Sequence, residues 1–195
     1  MFLGVTGNSG TGQSTVAAAF AALGANVCSL DATGHRLLER ESIRSVLSMR
    51  LYRPDFMSMS GSEVRADLSR SAFAWPDIME AVEAVLHPLM KRWAMFSRSL
   101  LGSLEGVWVL EGALIFEMDL DVLLDSVVLV SDTEERSWKR LAKRDGIDRD
   151  IVSKRWARQL PLSRKRCLAD HVIENSGSLD ELNEEAQRLY ISLTS

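Results

Sequence analysis

The sequence predicts an α/β fold, a parallel sheet of about five strands flanked by helices. Three observations carry that prediction. Residues 2–30 run from apolar strand to glycine-rich turn to alanine-rich helix to apolar strand, which is a βαβ opening. Residues 106–110 and 127–130 are continuously apolar, as strands buried on both faces are. Segments with helical spacing separate the strands, which implies right-handed crossovers between parallel neighbours.

Taken in order, residues 2–6 form the first strand, bounded by Gly7, and residues 7–12 the glycine-rich turn. Residues 14–23 follow as a helix that Gly24 is placed to end. Residues 26–30 make the second strand, and the pattern is helical from Gly34 to about Leu51. Residues 52–62 hold Pro54, Gly61 and several Ser and Met, and are expected to loop. Residues 63–73 return to helical spacing. Trp75-Pro76-Asp77 then opens a helix that continues through Phe96, with Met79, Val82, Val85, Leu86 and Leu89 on one face. A third strand covers 106–110 and ends at Glu111, and a fourth covers 127–130. A helix over 133–145 takes Asp132 as its N-cap, and a second runs from about 148 to 159, broken by Pro161. Residues 171–173 make the last strand and 179–193 the closing helix.

The chain has 195 residues, 46% hydrophobic and 26% charged, which suits one α/β domain with a sizeable core. Its net charge of −4 argues against nucleic acid as a partner. Charge is uneven, however: the stretch from Arg136 to Arg166 is strongly basic, opposed only by Asp145, Asp148 and Asp150. It reads either as a solvated helical surface or as a segment facing a polyanionic ligand. Cys28 and Cys167 show no metal-ligand or framework spacing, which suits a reducing cytoplasm. No apolar run approaches the ~18 residues that cross a bilayer, and neither a secretory leader nor a membrane partner is expected.

Gly7-Asn8-Ser9-Gly10-Thr11-Gly12-Gln13-Ser14-Thr15 nearly matches the G-x-x-x-x-G-K-[ST] phosphate loop, between a strand and a helix as that motif requires. This implies a P-loop NTPase fold. Gly7, Gly10, Thr11, Gly12, Gln13, Ser14 and Thr15 are the expected ATP-binding residues. Backbone N–H groups of such a loop point at the phosphates, and the helix N-terminus adds roughly half a positive charge. Ser14 is placed to put its hydroxyl on magnesium. Gln13 stands where the motif has lysine, so a neutral amide replaces a cation. Charged hydrogen bonds carry about 1.5–3 kcal/mol, and each ~1.4 kcal/mol is tenfold in rate, so the exchange predicts a loss of one to several orders of magnitude unless another cation substitutes.

Further segments resemble the dephospho-CoA kinase family. Ser29-Leu30-Asp31-Ala32-Thr33-Gly34-His35 is similar to its Asp-x-Asp-x-x-x-[His/Arg] stretch, with Ser29 for the first aspartate. Glu63-Val64-Arg65 with Leu68 and Phe73, and Leu86-His87-Pro88-Leu89, resemble its next two motifs. Glu111 to Glu117 resembles its Asp-x-Pro-Leu-Leu-Phe-Glu segment, with Glu for Asp and Ala113 for Pro. Arg140, Arg144-Asp145-Gly146, Gln159 and residues 169–175 resemble its lid and final strand. The likeness runs from about Phe2 to Asn175. The 52–62 loop departs from it, lacking the family's glycine pair.

The resemblance implies one kinase domain over 1–195, with a helical substrate-binding segment about 63–98 and a lid about 133–166. The implied reaction moves the γ-phosphoryl of ATP, with Mg2+, to the ribose 3′-hydroxyl of dephospho-CoA, the last step of coenzyme A synthesis. Asp31 takes the catalytic position, as base or through magnesium, its alternative being an N-cap for the helix at Gly34. Arg140 and Arg144 are helical neighbours that fit a closing lid and supply the missing cation. His35, Arg65, His87 and Glu117 are the expected substrate contacts, with packing open for His35, a surface ion pair for Arg65, a structural role beside Pro88 for His87 and a structural role for Glu117. Glu111 ends its strand as a magnesium-assisting acid would. Asn175 and Gly177 fall where such folds pass the adenine. The tryptophans are expected mostly in the core or at domain contacts. The expected partners are these small molecules, with a monomer or weak oligomer in the cytoplasm. The alternatives are a catalytically impaired nucleotide-binding homologue with a regulatory or partner-binding role, and a P-loop kinase for another small molecule.

Overall fold

The computed structural model describes residues 1–74, 76–102 and 104–195. Trp75 and Ser103 lie outside the described residues, as do the side chains of residues 69–76, so the expectations placed on Trp75 and on the Phe73 side chain fall outside them too. In chain order the elements are β1 (Phe2–Thr6), α1 (Gln13–Ala22), β2 (Asn26–Ser29), α2 (Leu30–Leu38), α3 (Glu41–Arg50), α4 (Gly61–Ala74), α5 (Pro76–Leu101) and β3 (Trp108–Glu111). There follow β4 (Ser126–Ser131), α6 (Glu134–Asp145), α7 (Arg149–Trp156), α8 (Leu162–Leu168), β5 (His171–Glu174) and α9 (Leu179–Thr194). The chain divides into two compact units, one of Met1–Ser29 with Met95–Ser195 and one of Leu30–Ala94.

The first unit holds the sheet. Its strands are parallel in the order β2-β3-β1-β4-β5, the α/β architecture that the apolar runs predict. All of β1 is buried, as the central strand of a covered sheet must be. Its register sets Val5 opposite Glu111 of β3 on one side and Val128 of β4 on the other. The chain therefore leaves β1 beside Glu111. Leu3, Val5, Val128 and Ile173 pack with Phe20 of α1 and Tyr190 of α9, whose rings are 5.1 Å apart. Each large side chain so buried contributes about 1.5–3 kcal/mol. The β1–α1 connection is thus clamped from below by core.

The second unit is helical among the described residues, with α2 packed against α3 and α4. It begins at Leu30 and ends at Ala94. The helix expected from Gly34 to Leu51 is instead two helices, the first beginning at Leu30 and so taking the last residue expected of β2. Arg40 is extended at the break, and the Arg44 guanidinium donates to the carbonyls of Leu38 (3.2 Å) and Glu39 (2.6 Å). A side chain thereby satisfies acceptors that a continuing helix would have used. Asp31 accordingly lies inside the first turn of α2 rather than capping a helix at Gly34. α5 continues through Pro88, and it buries Val82, Leu86, Met90 and Ala94 at four-residue spacing, so Met90 takes the place expected of Leu89. No described helix is long and apolar enough to cross a membrane.

Two helix starts in the first unit also differ from expectation. Thr133, not Asp132, caps α6, its hydroxyl accepting from Arg136 N at 3.4 Å. Pro161 does not simply end the helical region, because α8 opens directly after it.

Candidate active site

The loop between β1 and α1 is shaped by its glycines. Gly10 and Gly12 sit at φ 89° and 105°, in the left-handed region. A Cβ on Gly10 would stand 2.5 Å from the Ser137 carbonyl oxygen, and one on Gly12 2.5 Å from Asn175 Nδ2. Both positions therefore need a bare backbone. Thr11 closes the turn, with its N–H (3.0 Å) and its hydroxyl (2.9 Å) both donating to the Asn8 carbonyl.

Side chains from three later elements hold the outside of this loop. Trp156 Nε1 donates to the Ser9 carbonyl at 3.0 Å, Arg140 Nε to the Gly10 carbonyl at 2.8 Å, and Asn175 Nδ2 to the Thr11 carbonyl at 2.8 Å. Gln159 takes the Ser9 N–H on Oε1 at 3.0 Å and reaches the Ser9 hydroxyl with Nε2 at 3.1 Å. Arg140 is itself paired with the buried Asp132 carboxylate, which is why Asp132 does not cap α6. Arg136 donates to the Ser176 carbonyl, next to Asn175. A cavity of 630 Å³ lies against the loop, its lining including Asn8, Thr11, Asp132, Ser137, Trp156 and Gln159. Asn8 Oδ1 and Ser137 Oγ are buried there without a hydrogen-bond partner among the described residues.

α1 starts at Gln13, so the amides of Gln13 and Ser14 have no preceding turn to donate to and carry the positive end of the helix dipole. Ser14 is exposed and Thr15 half-buried. Gln13 folds back over the loop: its buried Oε1 lies 3.3 Å from where a Cβ on Gly7 would stand and has no donor among the described residues. Glu111 is buried at the end of β3, and Gly112 N donates to Val5 O at 3.1 Å, so the acid stands beside the strand that feeds the loop.

The other residues nominated in the lid and after β3 have definite partners. Arg144 is exposed and forks onto Asp145, at 2.7 and 2.8 Å. The Glu117 carboxylate accepts from Leu160 N at 2.7 Å and pairs with Lys165 at 2.9 Å. Lys165 is fully buried and also donates to the Ala113 carbonyl at 2.6 Å. Burial lowers its pKa, and Glu117 opposes that shift through its charge and hydrogen bond. Lys165 therefore does not belong to a solvated surface: it is buried against Glu117 and the Ala113 carbonyl. Gly177 precedes the Ser178 N-cap of α9, where Ser178 and Glu181 form a capping box, at 2.7 and 3.2 Å.

In the second unit, Asp31 and His35 stand one turn apart on α2, and Arg65 on α4; all three are exposed. Partial desolvation lowers the His35 pKa, the Arg65 charge lowers it further, and the Asp31 charge raises it. These three residues thus form one electrostatic group. His87 is half-buried in α5, directly before Pro88.

Sequence reasoning missed what Trp156 and Lys165 do. The tryptophans are expected mostly in the core or at domain contacts, and nothing in that expectation singles out Trp156, whose indole holds the loop. Gln159 appears in the lid likeness, but nothing in its spacing points to Ser9.

The dephospho-CoA kinase family model matches residues 1–181. A dephospho-CoA kinase of Thermus thermophilus is 36% identical over 195 residues, covering 100% of this chain and 92% of the relative. One of Syntrophotalea carbinolica is 32% identical over 194 residues, covering 99% and 92%. The crystal structure of a Thermus thermophilus protein superposes with a TM-score of 0.76 at 34% identity, covering 100% of this chain and 98% of that one. A shikimate kinase from Bacteroides thetaiotaomicron shares the P-loop kinase fold, with a TM-score of 0.56 at 14% identity. With the loop between β1 and α1, Glu111 beside it and a match over residues 1–181, this chain belongs to the dephospho-CoA kinase family.

Proposed function

We propose that this chain transfers the γ-phosphoryl group of ATP to the ribose 3′-hydroxyl of dephospho-CoA, giving coenzyme A. The observation that carries the reading is the phosphate loop of residues 7–14, tethered from three elements, in a chain that matches the family over residues 1–181. ATP phosphates lie against the loop amides and the start of α1, where backbone donors and the helix dipole favour negative charge. The family match supports Asp31 as the group that orients the acceptor hydroxyl and takes its proton, and His35 and Arg65 as acceptor contacts. His35, with its pKa held below the usual 6.5, meets the acceptor as a neutral imidazole at neutral pH. Asn175 and Gly177 border the adenine. The helical segment 63–98 serves the acceptor and the lid 133–166 serves ATP.

Magnesium fits the donor set only as a partner of the phosphates. The Ser14 hydroxyl is exposed at the start of α1 and Glu111 closes β3, and the described residues hold no group of three His, Cys, Asp or Glu side chains able to bind a metal. Ser14 would hold the ion through its hydroxyl and Glu111 would assist, with phosphate oxygens and water completing its surroundings. When bound, the ion supplies positive charge to the transferring oxygens. Arg140, which holds the Gly10 carbonyl from outside the loop and is paired with Asp132, supplies the charge that Gln13 lacks by exchanging that pair for the phosphates.

The test is turnover of dephospho-CoA with ATP and magnesium, run for the native chain, Gln13→Lys and Arg140→Gln. The native chain is expected to form coenzyme A, Gln13→Lys to run at least about tenfold faster, and Arg140→Gln about tenfold or more slower. Gln13 also favours a second reading, a nucleotide-binding homologue with impaired chemistry. ADP binding without turnover in the native chain, with turnover in Gln13→Lys, selects it. ADP binding with no turnover in either chain refutes the dephospho-CoA assignment, and full activity in Arg140→Gln refutes the role of Arg140.

A further inference from the structure

The loop carbonyls are held in succession by side chains, and the partner of the first is a tryptophan indole. We infer that Trp156, with Gln159, is a positioning pair that sets the Ser9–Gly10 peptide plane and so aims the Gly10 N–H at bound phosphate. The inference rests on the loop's being the nucleotide phosphate site.

In a trans peptide the C=O of one residue and the N–H of the next point in opposite directions, and the described chain has no cis peptide bond. Fixing Ser9 O on Trp156 therefore turns the Gly10 N–H the other way, off the α7 side of the loop. Gly10 O on Arg140 does the same for the Thr11 N–H, and that group is used internally on Asn8 O. Thr11 O on Asn175 turns the Gly12 N–H away in its turn. Of the three peptides, the outer two are left to donate to a ligand, and Trp156 governs the first of them.

Gln159 adds the other half of the grip. It binds the Ser9 N–H and hydroxyl, so both sides of Ser9 are fixed from the same stretch of chain. That stretch is itself anchored, because Leu160 N donates to Glu117, whose carboxylate is paired with the buried Lys165. Ordering of residues 156–160 is in this way transmitted to the loop. A glycine at position 10 makes the coupling matter, since its own torsions resist reorientation less than those of any other residue.

The experiment is ADP affinity by calorimetry on the full chain with magnesium, alongside thermal melting and coenzyme A formation. Trp156→Phe keeps an aromatic ring at the position and removes the donor. The dissociation constant is expected to rise about fivefold, the ratio that one ordinary hydrogen bond carries, while the melting midpoint stays at the parent value. Gln159→Met is expected to act in the same direction, and the double variant to lose less than the product of the two, because both act on Ser9. Should Trp156→Phe not fold, Gln159→Met decides alone. An unchanged ADP affinity beside a lowered melting midpoint would make the pair structural and overturn the inference, while coenzyme A formation in the parent would leave the proposed function standing. If the parent binds ADP but forms no coenzyme A, the function fails and the affinity series still decides the positioning.

Discussion

Residues 7–12 are gripped by α6, by the 156–159 stretch and by Asn175, whereas Asp31, His35 and Arg65 stand exposed on two neighbouring helices. The first region is organised by short hydrogen bonds from elements far along the chain, whereas in the second partial burial and the opposed charges of Arg65 and Asp31 act on His35. Phosphate presents the same oxygens to every turn of the reaction, so its cradle gains from being fixed beforehand. An acceptor ribose must enter and leave, and a site for it gains from side chains that remain free to adjust. The comparison implies that substitutions in the loop's tethers weaken nucleotide binding, while substitutions on α2 and α4 change the handling of the acceptor.

The largest expected effect that can break this comparison is at Asp31. Asp31→Asn should lower kcat by about 10²–10⁴ and leave ATP affinity at the parent value. Equal losses in turnover and in calorimetric ATP affinity would merge the two regions into one and remove the base role. Next comes Arg65→Ala, expected to raise the KM for dephospho-CoA by about tenfold with the KM for ATP unmoved. The same variant should raise the His35 pKa towards its ordinary 6.5, because the Arg65 charge is one of the two influences that lower it. An NMR titration of His35 that does not move would break the electrostatic group. The sign carries over to stability: the folded His35 binds a proton less readily than the unfolded one. Its contribution is complete above pH 6.5 and is lost as pH falls below it, and Arg65→Ala should flatten that slope. The smallest effect is at Ser178→Ala, which removes the α9 cap and should cost about 1 kcal/mol of stability with ADP affinity unchanged. A weakened ADP affinity there would extend the loop's support from Asn175 into α9.

The central strand, the glycine loop and α1 were legible because their signals are local. Gly7, Gly10 and Gly12 bracket a turn between an apolar run and an alanine-rich helix, and each apolar run from 106 onward became a strand within two residues of its expected ends. What escaped depends on side chains that meet across the fold. The break after Leu38 is stabilised by Arg44, and a helical pattern continues through it undisturbed. Asp132 and Thr133 are equally good caps by type, and the ion pair with Arg140 decided between them. Of the site, the loop and Glu111 beside it could be placed by register and motif. Lys165 could not, because it lies among exposed basic residues in sequence and its partner Glu117 belongs to another segment. The grip of Trp156 on Ser9 likewise joins positions that no periodicity connects.

The tethers on the loop have a consequence for the order in which the protein is made. The loop's sequence leaves the ribosome before its tethers do, because its three carbonyl donors are Arg140, Trp156 and Asn175, and β4, one neighbour of β1, begins at Ser126. A nascent chain that has not yet reached Ser126 carries every glycine of the phosphate loop and none of the side chains that turn its peptides. Competence to hold a nucleotide therefore waits until Asn175 emerges and closes the grip on residues translated long before it.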